Sequence, residues 1–110
     1  MASSKPDLLQ GTLDLLILKA LAPEPLHGWA ISKRIQQLSR DVLVVHQGSL
    51  YPALYRLEDR GWIVGAEAES PERRRIKVYR LTPVGRKQLA EEVGEWRAFS
   101  AAMNDVIGRA

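Results

Sequence analysis

Apolar residues along the chain recur with two different periods. Leu9, Leu13, Leu16, Ile17, Ala20 and Leu21 fall at helical spacing, and Leu15 and Leu18 widen the stripe, which predicts a first helix over residues 8–21. Pro23 and Pro25 end it, and His27-Gly28 completes the turn. A second helix is expected over 28–38, with Trp29 or Ala30, Ile31, Ile35 and Leu38 inward and Lys33, Arg34, Gln36 and Gln37 toward water or phosphate. Val42 to Val45 form a short apolar linker. A third helix over 47–60 has Leu50, Ala53, Leu54 and Leu57 as its core face and Gly61 just beyond its end. From Trp62 the period shortens. Trp62-Ile63-Val64 open one strand, and Ile76, Val78 and Leu81 punctuate a second with Lys77, Tyr79 and Arg80 between. Residues 67–74, with Ser70-Pro71, connect the two as a hairpin.

Thr82-Pro83 starts the last helix, threonine as N-cap and proline at the first helical position. Its residues Leu89, Val93, Trp96, Met103 and Ile107 keep a/d spacing to about residue 107, the mark of a helix packing along another helix. A few turns of that seam satisfy a domain of this size, so the remainder is expected to meet a second subunit. The fold class is therefore mainly α with a small β-hairpin (α+β). Its order, α-α-α-β-β-α, is that of a winged helix-turn-helix with a C-terminal dimerisation helix. The expected organisation is a flexible arm at 1–7, a winged-helix domain at 8–82 and the dimerisation helix at 83–110.

Charge sharpens this picture. The formal net charge of +3 decides little, but its distribution does. Between Ser70 and Lys87 stand Arg73, Arg74, Arg75, Lys77, Arg80, Arg86 and Lys87 against Glu72 alone, leaving the rest of the chain net negative. A concentrated positive segment is an electrostatic footprint for a polyanion, although a solvated loop carries such charge too. With no cysteine there is no disulfide, thiolate metal site or cysteine nucleophile. His27 and His46 are the only imidazoles and share no ligand or triad spacing, and Gly61 and Gly65 stand singly rather than in a phosphate loop. Neither an enzyme, a cofactor nor a metal is expected. Apolar runs such as Leu15 to Leu18 are too short for a bilayer, and Met1 to Asp7 lack a secretory h-region, so no membrane partner and a cytoplasmic location are expected.

Four stretches carry a resemblance. They are Leu9-Gln10-Gly11-Thr12-Leu13, His27-Gly28-Trp29-Ala30-Ile31, the run from Gly48-Ser49-Leu50-Tyr51-Pro52 to Leu57-Glu58, and the run from Lys77-Val78-Tyr79-Arg80-Leu81 to Thr82-Pro83-Val84-Gly85. Together, over residues 8–100, they resemble the PadR family of bacterial transcriptional regulators in its short form. Pro71-Glu72 stand where that family usually has glycine or asparagine before paired arginines, and Val78 where it has an aromatic residue.

The third helix of such a fold enters the DNA major groove and the hairpin touches the flanking backbone. Gln47, Ser49, Tyr51, Pro52, Tyr55 and Arg56 lie at or near its exposed side, and glutamine, serine and arginine suit base edges or phosphate. By themselves Tyr51 and Tyr55 read as half-buried packing residues. The resemblance implies that Ser49, Tyr51 and Pro52 approach DNA and leaves Tyr55 in packing. Pro52 is read as lying within the first helical turn, where its missing amide costs little. Arg73, Arg74 and Arg75 are the hairpin's phosphate or minor-groove candidates, two of the three facing DNA, with Lys77 on the backbone and Lys33 and Arg34 on flanking phosphate. Arg80 is expected to pair with an acid of the helical layer, and His27 to satisfy the turn it precedes.

The expected partner is double-stranded DNA carrying an inverted repeat, bound by a homodimer with half-sites one helical turn apart. Repression is what the resemblance implies. Leu89, Val93, Trp96, Phe99, Met103 and Ile107 line the dimer seam, and in some relatives a tryptophan at the place of Trp96 stacks on flat aromatic ligands, so a small aromatic effector is a further expectation. Two rivals stand beside this reading: a winged-helix protein-interaction module without a DNA target, and a ligand-sensing pocket protein.

Overall fold

The computed structural model describes the backbone of residues 5–109 and the side chains of residues 11–108. Its elements are α1 (Lys5–Leu21), β1 (Leu26–His27), α2 (Gly28–Leu38), α3 (Gln47–Asp59), β2 (Ile63–Glu69), β3 (Arg75–Leu81) and α4 (Pro83–Arg109). α1 begins three residues before its expected start; residues 1–4 of the expected arm, and the side chain of Leu9, lie outside the described residues.

The core is built from the predicted faces. Leu13, Ile17, Leu18 and Leu21 of α1 meet Ile31 and Ile35 of α2 and Leu50, Ala53, Leu54 and Leu57 of α3, all buried. Ile63, Tyr79 and Leu81 close it from the sheet and Leu89 from α4. Two expected inward residues of α2 are exposed, Trp29 by 56% and Leu38 by 71%. Trp29 precedes Ile31 by two residues, about 200° around the helix, and so faces away from the core. Leu38 keeps the register of Ile31 but falls in the last turn, uncovered.

The sheet has three strands, ordered β1-β3-β2, rather than the hairpin alone. Leu26 and His27, expected only as a turn, pair antiparallel with Tyr79 and Val78, which makes β3 the central strand. In β3 the inward residues are Tyr79 and Leu81, whereas Ile76 and Val78 lie half-buried on the other face. A period of two places residues 79 and 81 together and excludes 76 and 78 from their company.

Chain ends of the helices are tied locally. His27 Nδ1 accepts from the amide of Ala30 at 3.2 Å, capping α2. Thr82 Oγ1 accepts from the Gly85 amide at 2.9 Å, the N-cap that Thr82-Pro83 signals. Gly61, with φ of +76°, closes α3 in a conformation that suits glycine.

The hairpin tip is less comfortable. The Arg73 amide donates to the Ser70 carbonyl at 2.8 Å and the Ser70 amide to the Arg74 carbonyl at 2.8 Å. This is a three-residue loop whose last position, Arg73, is left-handed with φ of +64°. A side chain there costs about 1 kcal/mol, offset in part by the greater freedom glycine has when unfolded. Arg73→Gly should therefore raise the melting temperature by about 2–4 °C in thermal unfolding. An unchanged or lower value would show that the tip carries no such strain.

Candidate nucleic-acid interface

Burying Leu50, Ala53, Leu54 and Leu57 turns the opposite side of α3 outward. Gly48, Pro52, Tyr55 and Asp59, spaced four, three and four apart, form its outermost ridge, and all four are exposed. Gln47 and Ser49 are exposed at the N-terminal end. Tyr51 leans to the flank, over the start of α2. A Cβ built on Gly28 would lie 2.8 Å from its hydroxyl oxygen and 3.1 Å from its ring, so glycine is what admits this tyrosine. Tyr51 is 40% exposed and Tyr55 74%, so the residue left in packing on sequence grounds is the more open of the two. Pro52 is the sixth residue of α3, not part of its first turn, because the helix starts at Gln47. Its missing N–H leaves the Gly48 carbonyl without its helical donor.

Acidic residues brace this helix on both sides. Asp14, buried in the middle of the apolar face of α1, accepts from Arg56 at 2.8 Å and lies 3.7 Å from Arg60. Arg56 is thus held against α1 rather than reaching outward from the ridge. On the other side Glu58 accepts from the Gly65 amide at 3.2 Å and from Lys77 Nζ at 3.2 Å, joining α3 to both hairpin strands. The Glu58 hydrogen bond raises the Lys77 pKa above 10.5, so this brace is present below that pH and is lost only as pH climbs through the raised value. Burial likewise pushes the Tyr79 phenol up from 10.0. Arg80, expected to pair with an acid, makes no ion pair among the described residues. Strand alternation sends Lys77 and Tyr79 toward α3 and Arg80 the other way.

Other basic candidates are more open. Arg73 and Arg74 are exposed at the tip, and Arg75 meets Glu67 at 3.1 Å in a solvent-exposed pair that contributes little. The tip stands roughly 20 Å along the strands from the hairpin base, so the arginines and the ridge of α3 are separate contact points. On α2, Arg34 is held by Glu24 at 2.7 Å, while Lys33 is exposed with its Nζ 5.3 Å from the Trp29 ring centroid.

The expected seam of α4 divides in two. Leu89 is buried and Val93 packs on the core, but Trp96, Phe99, Met103 and Ile107 are 46%, 53%, 45% and 64% exposed. Between α1, residues 42–46 and α4 opens a largely apolar cleft of about 770 Å³, whose walls include Leu13, Leu16, Val44, Val93 and Trp96. Trp96 and Phe99 stand at 6.0 Å, tilted by 44°.

Sequence reasoning missed Asp14, Glu58 and the cleft wall at residues 42–46. Asp14 does carry a signal, an acid set between Leu13 and Leu15 in an otherwise apolar helix, which implies a basic partner. Among the described residues no group of three or more histidine, aspartate or glutamate side chains could hold a metal, and no helix is long and apolar enough to cross a membrane.

Comparison with known proteins agrees with this architecture. Residues 17–91 match the profile of the transcriptional regulator PadR-like family. The transcriptional regulator Rv3488 of Mycobacterium tuberculosis is 38% identical over 94 residues, covering 86% of this chain and 81% of that protein. Among solved structures, a transcriptional regulator from Clostridium thermocellum superposes with a TM-score of 0.81 at 31% identity, over 90% of this chain and 96% of that one. A PadR family transcription regulator from Clostridium difficile R20291 gives 0.73 at 30% identity, over 86% and 96%. The family consists of DNA-binding regulators rather than enzymes, and the chain described here belongs to it: it is a member of the PadR-like family of transcriptional regulators.

Proposed function

We propose that the protein is a cytoplasmic, sequence-specific repressor that binds an inverted-repeat operator as a homodimer. The observation that carries this reading is an exposed ridge on α3 beside a hairpin tipped by free arginines, on a chain whose α4 seam is half uncovered. Two α3 helices related by a two-fold axis would enter successive major grooves, with half-sites about one helical turn apart. Gln47, Ser49, Tyr51 and Pro52 face base edges and adjoining phosphates. Arg73 and Arg74, with Arg75, grip the flanking backbone or narrow minor groove, and Lys33 holds phosphate. Arg34, Arg56 and Lys77 already have carboxylate partners, which offsets their pull on phosphate and makes them secondary contacts.

Residues 8–82 serve as the DNA-binding unit and 83–110 as the dimerisation helix. Burying Trp96, Phe99, Met103 and Ile107 against a second copy contributes about 1.5–3 kcal/mol for each side chain fully covered. Trp96, which lines the cleft and has Phe99 beside it at 6.0 Å, also supports the effector reading. A flat aromatic molecule stacked there would alter the angle between the subunits and release DNA.

The test is selection of bound duplexes from a random pool, with affinity for the winner followed against salt. An enriched inverted repeat is expected, with affinity falling steeply between roughly 50 and 200 mM salt. Absence of enrichment, with weak and salt-insensitive binding, would instead favour the protein-interaction module.

A further inference from the structure

We propose that Tyr55 is the central base-reading residue of this protein and that its preferred partner is a thymine edge. The inference rests on the DNA-binding reading above and deepens it. Gln47 and Ser49 sit at the N-terminal end of α3 and Tyr51 on its flank, so the middle of the groove floor meets the outermost ridge, Gly48, Pro52, Tyr55 and Asp59. Gly48 and Pro52 carry no side-chain donor or acceptor. Asp59 is an anion in the last turn and is repelled by phosphate. Tyr55 is the one remaining group, a phenol 74% exposed in the middle of the helix.

Its basic neighbours are tied elsewhere: Arg56 is drawn to Asp14, and Lys77, beside Glu58, is held back from the groove. Tyr51 stands on the flank over Gly28 and meets the edge of the site rather than its centre. Diverting Arg56 matters for specificity, because arginine is the side chain that forks onto guanine. With it gone from the ridge, the centre of the reading surface is an aromatic ring with a single hydroxyl. A ring edge packs on the thymine methyl, and the hydroxyl can donate to the adjoining O4 or N7 acceptor. Tyr55 also stands outside the buried core, which Leu54 and Leu57 form on the other side of the helix.

The experiment repeats the random-pool selection with wild type, Tyr55→Phe and Tyr55→Ala, each checked for an unchanged melting temperature. Wild type should enrich a repeat with an A·T pair at one or two symmetric positions of each half-site. Tyr55→Ala should lose the preference at those positions, with a fall of about 10- to 100-fold in affinity for the selected site. Its affinity for unrelated DNA and its salt slope should stay unchanged, which a merely structural role could not produce. Tyr55→Phe should keep the thymine preference with a smaller loss. Identical enriched sequences and equal affinities for wild type and Tyr55→Ala would overturn the assignment while leaving the regulator reading intact. No enrichment by wild type itself would overturn both.

Discussion

Gly85→Ala is expected to lower the melting temperature by about 12 °C. A Cβ on Gly85 would overlap the carbonyl oxygen of Trp62 and come within 2.7 Å of its carbon. Both are backbone atoms, so no rotamer change relieves the contact. The Trp62 carbonyl cannot retreat either, because it accepts from the Thr82 amide at 3.0 Å and from the Thr82 hydroxyl at 3.0 Å. Overpacking of this kind costs about 3 kcal/mol where neighbours are fixed, and each kcal/mol is worth about 4 °C in a domain of this length. Circular dichroism melts at one protein concentration check it, since association would also shift the midpoint. Gly94→Ala supplies the control. Nothing lies within 4 Å of a Cβ at Gly94, which sits on the side of α4 opposite Leu89 and Trp96, so helix propensity alone should make that variant slightly more stable. A Gly85→Ala melt within 2 °C or so of wild type would mean that α4 is not pinned at this point.

In the proposed homodimer, Met103→Glu should separate the two copies and, with that, cost more than about 100-fold in affinity for the selected duplex. Met103 lies on the uncovered half of the α4 seam between Trp96 and Ile107, 45% exposed in the single chain. Placing a carboxylate there adds nothing unfavourable to an isolated chain, which can hydrate it. Across an apolar seam between two copies the same group must be buried unpaired, at a cost of several kcal/mol. A monomer engages one half-site at a time and forfeits the gain of two linked heads, which commonly amounts to 10²–10⁴ in avidity. Sedimentation velocity reads the oligomeric state, and titration of the selected duplex reads the affinity. A variant that remains dimeric would remove the α4 seam from the interface, whatever its effect on DNA.

The helical frame was legible because its signals are local. The spacing of Leu50, Ala53, Leu54 and Leu57 gives the core face of α3, Thr82-Pro83 marks the start of α4, and Gly61 marks the end of α3. What escaped depends on partners distant in sequence. β1 is two residues long, and its pairing with Tyr79 and Val78 has no period to reveal it. The turn after α2 uses left-handed Arg40 and Asp41, at φ of +53° and +67°, without the glycine or asparagine that would announce it. Arg56 looked available on a helical wheel, and only the fold shows Asp14, 42 residues earlier, waiting for it. Tyr51 and Tyr55 are the same residue type one turn apart, and their roles diverge because Gly28 makes room for one of them.

The two residues of β1 have a mechanical consequence. They belong to the connection between α1 and α2, yet they hydrogen-bond to the strand that also forms the base of the hairpin. Any swing of the hairpin as a whole would therefore have to tear the helix-turn-helix away from it, while Glu58 resists the same movement from the other side. The helix-turn-helix and the base of the hairpin are thus tied into one unit, and what lies outside those ties is the hairpin tip at residues 70–74 and the length of α4 beyond Val93. A twist or stretch of the DNA would be met first at one of those two extremities.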